Sequence, residues 1–162
     1  MVLGIESYIS NIYDGVDKAY IYILWSQKYK VVYVGQTNSR GGTLARLNQH
    51  CSVDSGNNQF RRLFQDKTGL SLTEADDLRL FSFCLGTSKT FTSAETTYRE
   101  GVEYLVQIFL YDIACESPVS FRIISVVRTN DTTSLPFIRK MATSIAHQFQ
   151  GVYSRVINTI AP

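Results

Sequence analysis

Tyr22 and Tyr33, separated by ten residues, are followed by Arg46 and His50, four apart, all within the stretch AYIYILWSQKYKVVYVGQTNSRGGTLARLNQH. Groups of these types suit chemistry on a phosphate. A guanidinium is a permanently charged planar fork that can hold two phosphate oxygens at once. An imidazole one helical turn along can donate to the phosphate or relay a proton. A phenol can take a proton from water if cations such as Arg46 or Lys30 pull its pKa down from about 10, and a second phenol can orient the water or the phosphate.

Local propensities supply the elements that would carry these groups. Ala19–Trp25 and Val31–Gly35 are β-branched and aromatic runs joined by SQKYK, which reads as an antiparallel hairpin. After the turn-rich QTNSRGG, Thr43 is placed to cap a helix whose Leu44 and Leu47 leave Arg46 and His50 adjacent on another face. A polar loop over 52–58 leads to a second short helix around Phe60, Leu63 and Phe64, ending near Gly69. Leu78–Leu85 reads as a third strand. A long helix opens at Thr92 or Ser93 and runs to about Ile113, with Val102, Leu105, Val106 and Phe109 in one apolar stripe. Gly101 interrupts it at a cost of about 1 kcal/mol relative to alanine, which implies close packing against a neighbour or a local bend. Phe121–Val127 is a further strand candidate, and Pro136 suits the first turn of a last helix to about Ile157. This order predicts an α+β fold: a small, mainly antiparallel sheet flanked by helices, with a C-terminal strand and helix extension. A single domain is expected over 1–162, its core at 19–112 and an accessory strand and helix over 113–162.

Composition fits that expectation. The 162 residues are 44% hydrophobic and 19% charged, enough apolar surface to offset the entropy of ordering the chain. No apolar run reaches the roughly 18–20 residues that span a bilayer and no export signal opens the chain, so no membrane association and a cytoplasmic address are expected. Cys51, Cys84 and Cys115 form no CxxC pair, which argues against a disulfide framework or a zinc site and for buried small hydrophobes. A net charge of +2 does not mark a nucleic-acid binder, but Lys28, Lys30, Arg40, Arg46, Arg61, Arg62 and Lys67 face only Asp54 and Asp66 within 28–67. Lys30, Arg40, Arg61 and Arg62, with Asn57 and Asn58, are candidates for contact with a nucleic-acid backbone; solvated helix faces are the plain alternative.

The order Ile21-Tyr22, ten residues, Tyr33-Val34-Gly35, then Arg46-Leu47-Asn48-Gln49-His50 resembles the GIY-YIG nuclease family over about residues 19–112. In that family a hairpin carries both tyrosine motifs, the next helix carries an arginine and often a histidine one turn later, and a later helix carries a glutamate that binds one divalent metal. Tyr20 stands where the first motif has glycine, Val34 replaces isoleucine, and Ile113–Arg122 holds no asparagine where the family commonly carries one. The stretch from Gly35 to Arg46, with Arg40, Gly41 and Gly42 near its tip, is longer than in the simplest members and resembles the restriction-type branch. Among Glu95, Glu100 and Glu103 of the long helix, Glu103, followed by Tyr104-Leu105-Val106, matches the family glutamate best, with Glu100 as the alternative.

The resemblance implies a metal-dependent DNA endonuclease. Tyr22, Tyr33, Arg46, His50 and Glu103 would be its catalytic residues, and Glu103 would hold a single Mg2+ or Mn2+ with waters completing the shell. The sequence has no DxD pair of the kind a two-metal nuclease uses. Double-stranded DNA would be the substrate, cut to leave a 5′ phosphate. One site cuts one strand at a time, so a double-strand break would take a homodimer or two encounters. Two other readings compete: a catalytically inactive member that binds nucleic acid or protein, motivated by Tyr20 and the missing asparagine, and an interaction protein in which the motif match is accidental.

Overall fold

The computed structural model describes residues 14–52, 58–75, 77–116 and 121–160. The polar loop expected over 52–58, including Asp54 and Asn57, falls largely outside them. β1 (Ala19–Ser26) and β2 (Val31–Thr37) form the expected antiparallel hairpin, in a register that sets Tyr22 opposite Gly35 and Leu24 opposite Tyr33. β3 (Arg79–Gly86) adds antiparallel to the other edge of β1, and β4 (Arg122–Ile123) adds parallel to β2, giving the order β3-β1-β2-β4. The strand expected over Phe121–Val127 is therefore only two residues long. The Ile124 N–H still donates to Val32 O, but the Val34 N–H donates to the Ser125 hydroxyl at 3.0 Å, so a side chain replaces the backbone and the ladder stops.

Strand alternation divides the hydrophobic residues between two faces of this sheet. Ala19, Ile21, Ile23 and Trp25 enter one core, closed by α4 (Thr97–Glu116) and α5 (Pro136–Ile160) through Val102, Val106, Leu110, Ile138, Ile145 and Phe149. Tyr22, Leu24, Val31 and Tyr33 enter a second, smaller core with Phe60 and Phe64 of α2 (Gln59–Thr68) and with Leu72. The C-terminal helix thus supplies side chains to the main core, where Trp25 meets Phe149 edge-on at 5.6 Å between ring centroids. None of the described helices is long and apolar enough to cross a membrane.

Several boundaries differ from expectation for identifiable reasons. The connection after β2 is only 38–41, because α1 (Gly42–Cys51) begins at a glycine whose φ of +57° lets the chain turn directly into the helix. Thr43 is consequently inside α1 rather than its cap, a position held by Gly41. The long helix does not open at Thr92 or Ser93: a short helical turn, α3 (Lys89–Thr92), ends at Ser93, and α4 starts at Thr97. Arg99 enforces the break by donating to the carbonyls of Phe91 and Ser93, which then lie outside any continuing helix. Gly101 answers to close packing, since a Cβ there would lie 2.1 Å from the Thr132 hydroxyl. The cysteines are not buried: Cys84 and Cys115 are exposed and Cys51 is partly so.

Candidate active site

The site is built around a cross-strand contact. Tyr22, wholly buried in the middle of β1, lays its ring over Gly35, its partner on β2, where an added Cβ would come within 2.3 Å of both Cζ and Oη. The phenol continues to α1, its Oη lying 2.6 Å from Nε2 of His50, a residue with no exposed surface. Tyr33 stacks beside Tyr22 with centroids 6.4 Å apart and meets His50 edge-on at 5.2 Å. Phe60 backs Tyr33 at 5.4 Å.

A second row of contacts sets the height of α1 over the sheet. Tyr22 is also the β1 partner of Ser82 on β3, and the Ser82 hydroxyl bonds that of Thr43 at 2.7 Å. The first turn of α1 is thus tied to the strand row that contains Tyr22 and Gly35, and the following turns present Arg46 and His50. Arg46 is half-buried, and its Nη1 donates to Gln49 Oε1 at 2.8 Å.

These side chains and Glu103 share one electrostatic neighbourhood. Burial, then Tyr33, drives the Tyr22 pKa far above the phenol range; the charge of Arg46 and a hydrogen bond with it pull the other way without prevailing. The expectation of a phenol lowered by neighbouring cations is therefore reversed. Lys30 does not help, because it sits in the hairpin turn before β2 while Tyr22 pairs with Gly35 towards the strand's other end. Tyr33 is pushed up to about 12 by burial and then by Glu103, opposed by Arg46 and a hydrogen bond with Tyr22. Protein crowds the carboxyl of Glu103 enough that burial, with Glu100 adding repulsion and Arg46 opposing, raises it to about 8. Glu103 thus acts on both phenols and on the arginine's surroundings. Glu100 is instead engaged at the start of α4, accepting from the Thr96 hydroxyl at 2.7 Å, and Glu95 accepts from Thr97 at 3.0 Å.

The family model of the GIY-YIG catalytic domain matches residues 18–100, just over half of the chain. The chain belongs to the GIY-YIG family. That family is one of nucleases. Neither a curated protein nor a solved structure matches the chain. The matched span takes in Tyr22, Tyr33, Gly35, Arg46 and His50 and stops three residues short of Glu103, which the unbroken α4 then carries to the same GIY-YIG centre.

The remaining basic candidates are dispersed around this GIY-YIG core. Arg40 is exposed in the 38–41 connection, where its carbonyl accepts from the Gly15 N–H at 3.0 Å. Arg61 spends a guanidinium N–H on the Cys51 carbonyl at 3.2 Å, tying the end of α1 to α2, whereas Arg62 is exposed. Lys30 lies in the hairpin turn, at φ +52°. Asn130, beyond the stretch where the family asparagine was sought, is committed elsewhere: it donates to Thr97 O at 2.9 Å and accepts from Thr132.

Three positioning contacts escaped sequence reasoning. The spacing of Gln49, three residues after Arg46 on a helix, could have exposed its role. The Thr43–Ser82 bond joins residues with no visible pattern. Arg99, wholly buried, donates through Nε to Gln36 Oε1 at 2.8 Å, so it ties the start of α4 to the residue after Gly35.

A metal can be tested against the donor set. Among the described residues no cluster of three histidine, cysteine or acidic side chains could hold a metal ion. The available donor is one carboxylate, crowded by protein and by Glu100, whose proton a cation would displace. Such a set fits a hard cation that keeps most of its own water shell, as magnesium does, better than it fits zinc.

Proposed function

We propose that the chain is an endonuclease that hydrolyses phosphodiester bonds in duplex DNA, with Glu103 holding a single Mg2+ or Mn2+. The observation that carries this reading is the buried Tyr22 Oη–His50 Nε2 hydrogen bond of 2.6 Å, set within reach of Arg46 and Glu103. A phenol so buried does not wait as a phenolate; its own proton must leave as it accepts another. His50 receives it. As the attacking water passes a proton to Tyr22 Oη, the Tyr22 proton moves to Nε2, so no charge accumulates on the phenol.

Tyr33 aligns the water through its hydroxyl. Arg46 exchanges Gln49 for two non-bridging phosphate oxygens and stabilises the charge that grows there in the transition state. Glu103 would hold the cation, which would supply Lewis-acid stabilisation of the negative charge that develops on the reacting phosphate and the leaving oxygen. The new P–O bond comes from water, the P–O3′ bond breaks, and the 3′ oxygen is protonated from solvent, leaving a 5′ phosphate.

A supercoiled-plasmid assay with Mg2+ or Mn2+ tests this, comparing the native chain with Arg46→Ala and Glu103→Ala. Nicked circles should precede linear product, because one site cuts one strand at a time. Cutting by the native chain and by neither variant supports the endonuclease. DNA retained without cutting would make the chain an inactive binder, and neither retention nor cutting would leave an interaction protein.

A further inference from the structure

A half-open groove of about 620 Å3 lies at the hairpin-turn end of β2, with neither phenol in its lining. Three elements send cations into it: Lys30 from the hairpin turn, Lys67 from the last turn of α2 and Arg122 from β4. All three are exposed, and among the described residues none has an ion-pair partner and no carboxylate lines the groove. Like charges brought together from separate elements repel one another, and a bound polyanion removes that repulsion.

The rest of the lining narrows the choice of polyanion. Tyr111 of α4 is 61% exposed at the wall, and Val31 and Phe121 give the groove an apolar floor. A duplex offers phosphates to such a surface but keeps its base faces stacked on each other. An unpaired strand offers both phosphates for the cations and open base faces for the tyrosine. Position supports the same partner: Val31 and Tyr33 lie on one face of β2, about 7 Å apart along the strand, so nucleic acid running from the phenols towards the hairpin turn reaches the groove.

We propose that this groove holds unpaired nucleic acid flanking the cleavage point, with phosphates on Lys30, Lys67 and Arg122 and a base against Tyr111. The proposal rests on the nuclease reading above and assigns the substrate a single-stranded tail or flap next to duplex.

Fluorescence anisotropy in EDTA, where cutting is suppressed, tests it on the native chain. A blunt duplex is compared with the same duplex carrying six unpaired thymidines at its 5′ or its 3′ end. One of the tails should tighten binding roughly tenfold, the size of one base–aromatic stack plus its phosphates. Tyr111→Ala and the pair Lys67→Glu with Arg122→Glu should each bring the ratio of tailed to blunt affinity close to one, with circular dichroism confirming that the variants are folded. Equal affinity for tailed and blunt duplex, or a tail preference that survives both variants, overturns the proposal. So does a longer blunt duplex that gains as much as the tail does. Plasmid nicking without a tail preference sinks the groove alone, and a tail preference without nicking sinks the endonuclease alone.

Discussion

Gly35 is the seat of the Tyr22 ring: the two are direct partners across β1 and β2, and a methyl at residue 35 would come within 2.3 Å of the phenol's Cζ and Oη. The ring cannot make room without leaving its place, because its face lies over Gly35 and its hydroxyl is held by His50. Gly35→Ala is therefore expected to displace the phenol, reducing plasmid nicking at least roughly a hundredfold, in line with losing a positioned proton-transfer group. Overpacking should also lower stability by about 1–3 kcal/mol. Nicking kinetics and urea unfolding of the same preparation check both; near-native activity in Gly35→Ala would refute the seat.

The Tyr22–His50 contact makes a sharper statement about coupling. If the proton moves through both groups in one relay, removing either breaks the relay once. Tyr22→Phe and His50→Ala should each slow nicking by about 10²–10⁴-fold, and the double variant should be hardly slower than the worse single one. Independent contributions would instead multiply. Because Tyr22→Phe also deprives a buried imidazole of a 2.6 Å partner, its unfolding free energy should fall by about 1–3 kcal/mol.

How much of this was legible in the sequence depended on whether local pattern or tertiary packing decides each feature. The hairpin, α1, α2, β3 and α5 announced themselves through alternation, periodicity and turn residues, and the motif spacing pointed to four of the five candidate site residues. The sequence favours Glu103 over Glu100 by the residues that follow it, and the helix in place adds that Glu103 acts on both phenols while Glu100 accepts from Thr96. The condition of a lowered Tyr22 pKa is not met because burial, invisible in spacing, outweighs the arginine. The break before α4 was missed because it depends on Arg99 reaching back to two carbonyls, a contact no window of helix propensity contains.

Glu103 gives a pH signature in the metal-free chain. Its folded value of about 8 lies above the 4.5 of an unperturbed glutamate, so over that window the folded state holds more protons than the unfolded state. Stability in EDTA should then fall as pH rises from about 4.5 to 8. Glu103→Gln carries no charge to desolvate and escapes the loss. Wild type and variant should unfold at similar urea concentrations near pH 4.5 and separate as pH rises, the variant being more stable by about 1–3 kcal/mol at pH 8. A gap that stays constant across that range would show that the carboxyl is not held in a charge-hostile place.

Asp77 supplies the opposite sign, away from the site but beneath its geometry. Its carboxylate accepts from the Lys28 N–H at 2.9 Å, from the Ser26 hydroxyl at 3.2 Å and from Arg79 Nε at 3.1 Å, so it clips the β1–β2 turn to the start of β3. Burial would raise its pKa, but the Lys28 N–H, Arg79 and Ser26 outweigh it and hold the group below the usual 3.8. A depressed carboxyl stabilises the fold fully above its unfolded value and loses that contribution as pH falls through the lower folded value. Asp77→Asn should cost about 1 kcal/mol at pH 7, and the gap should close as pH falls through the lowered folded value, below which the wild-type carboxyl is itself neutral. Because the turn fixes the register that sets Tyr22 on Gly35, the same variant should lose nicking activity on warming at a lower temperature than wild type; a gap in unfolding free energy that persists at low pH would show that the charge is not what makes the clip.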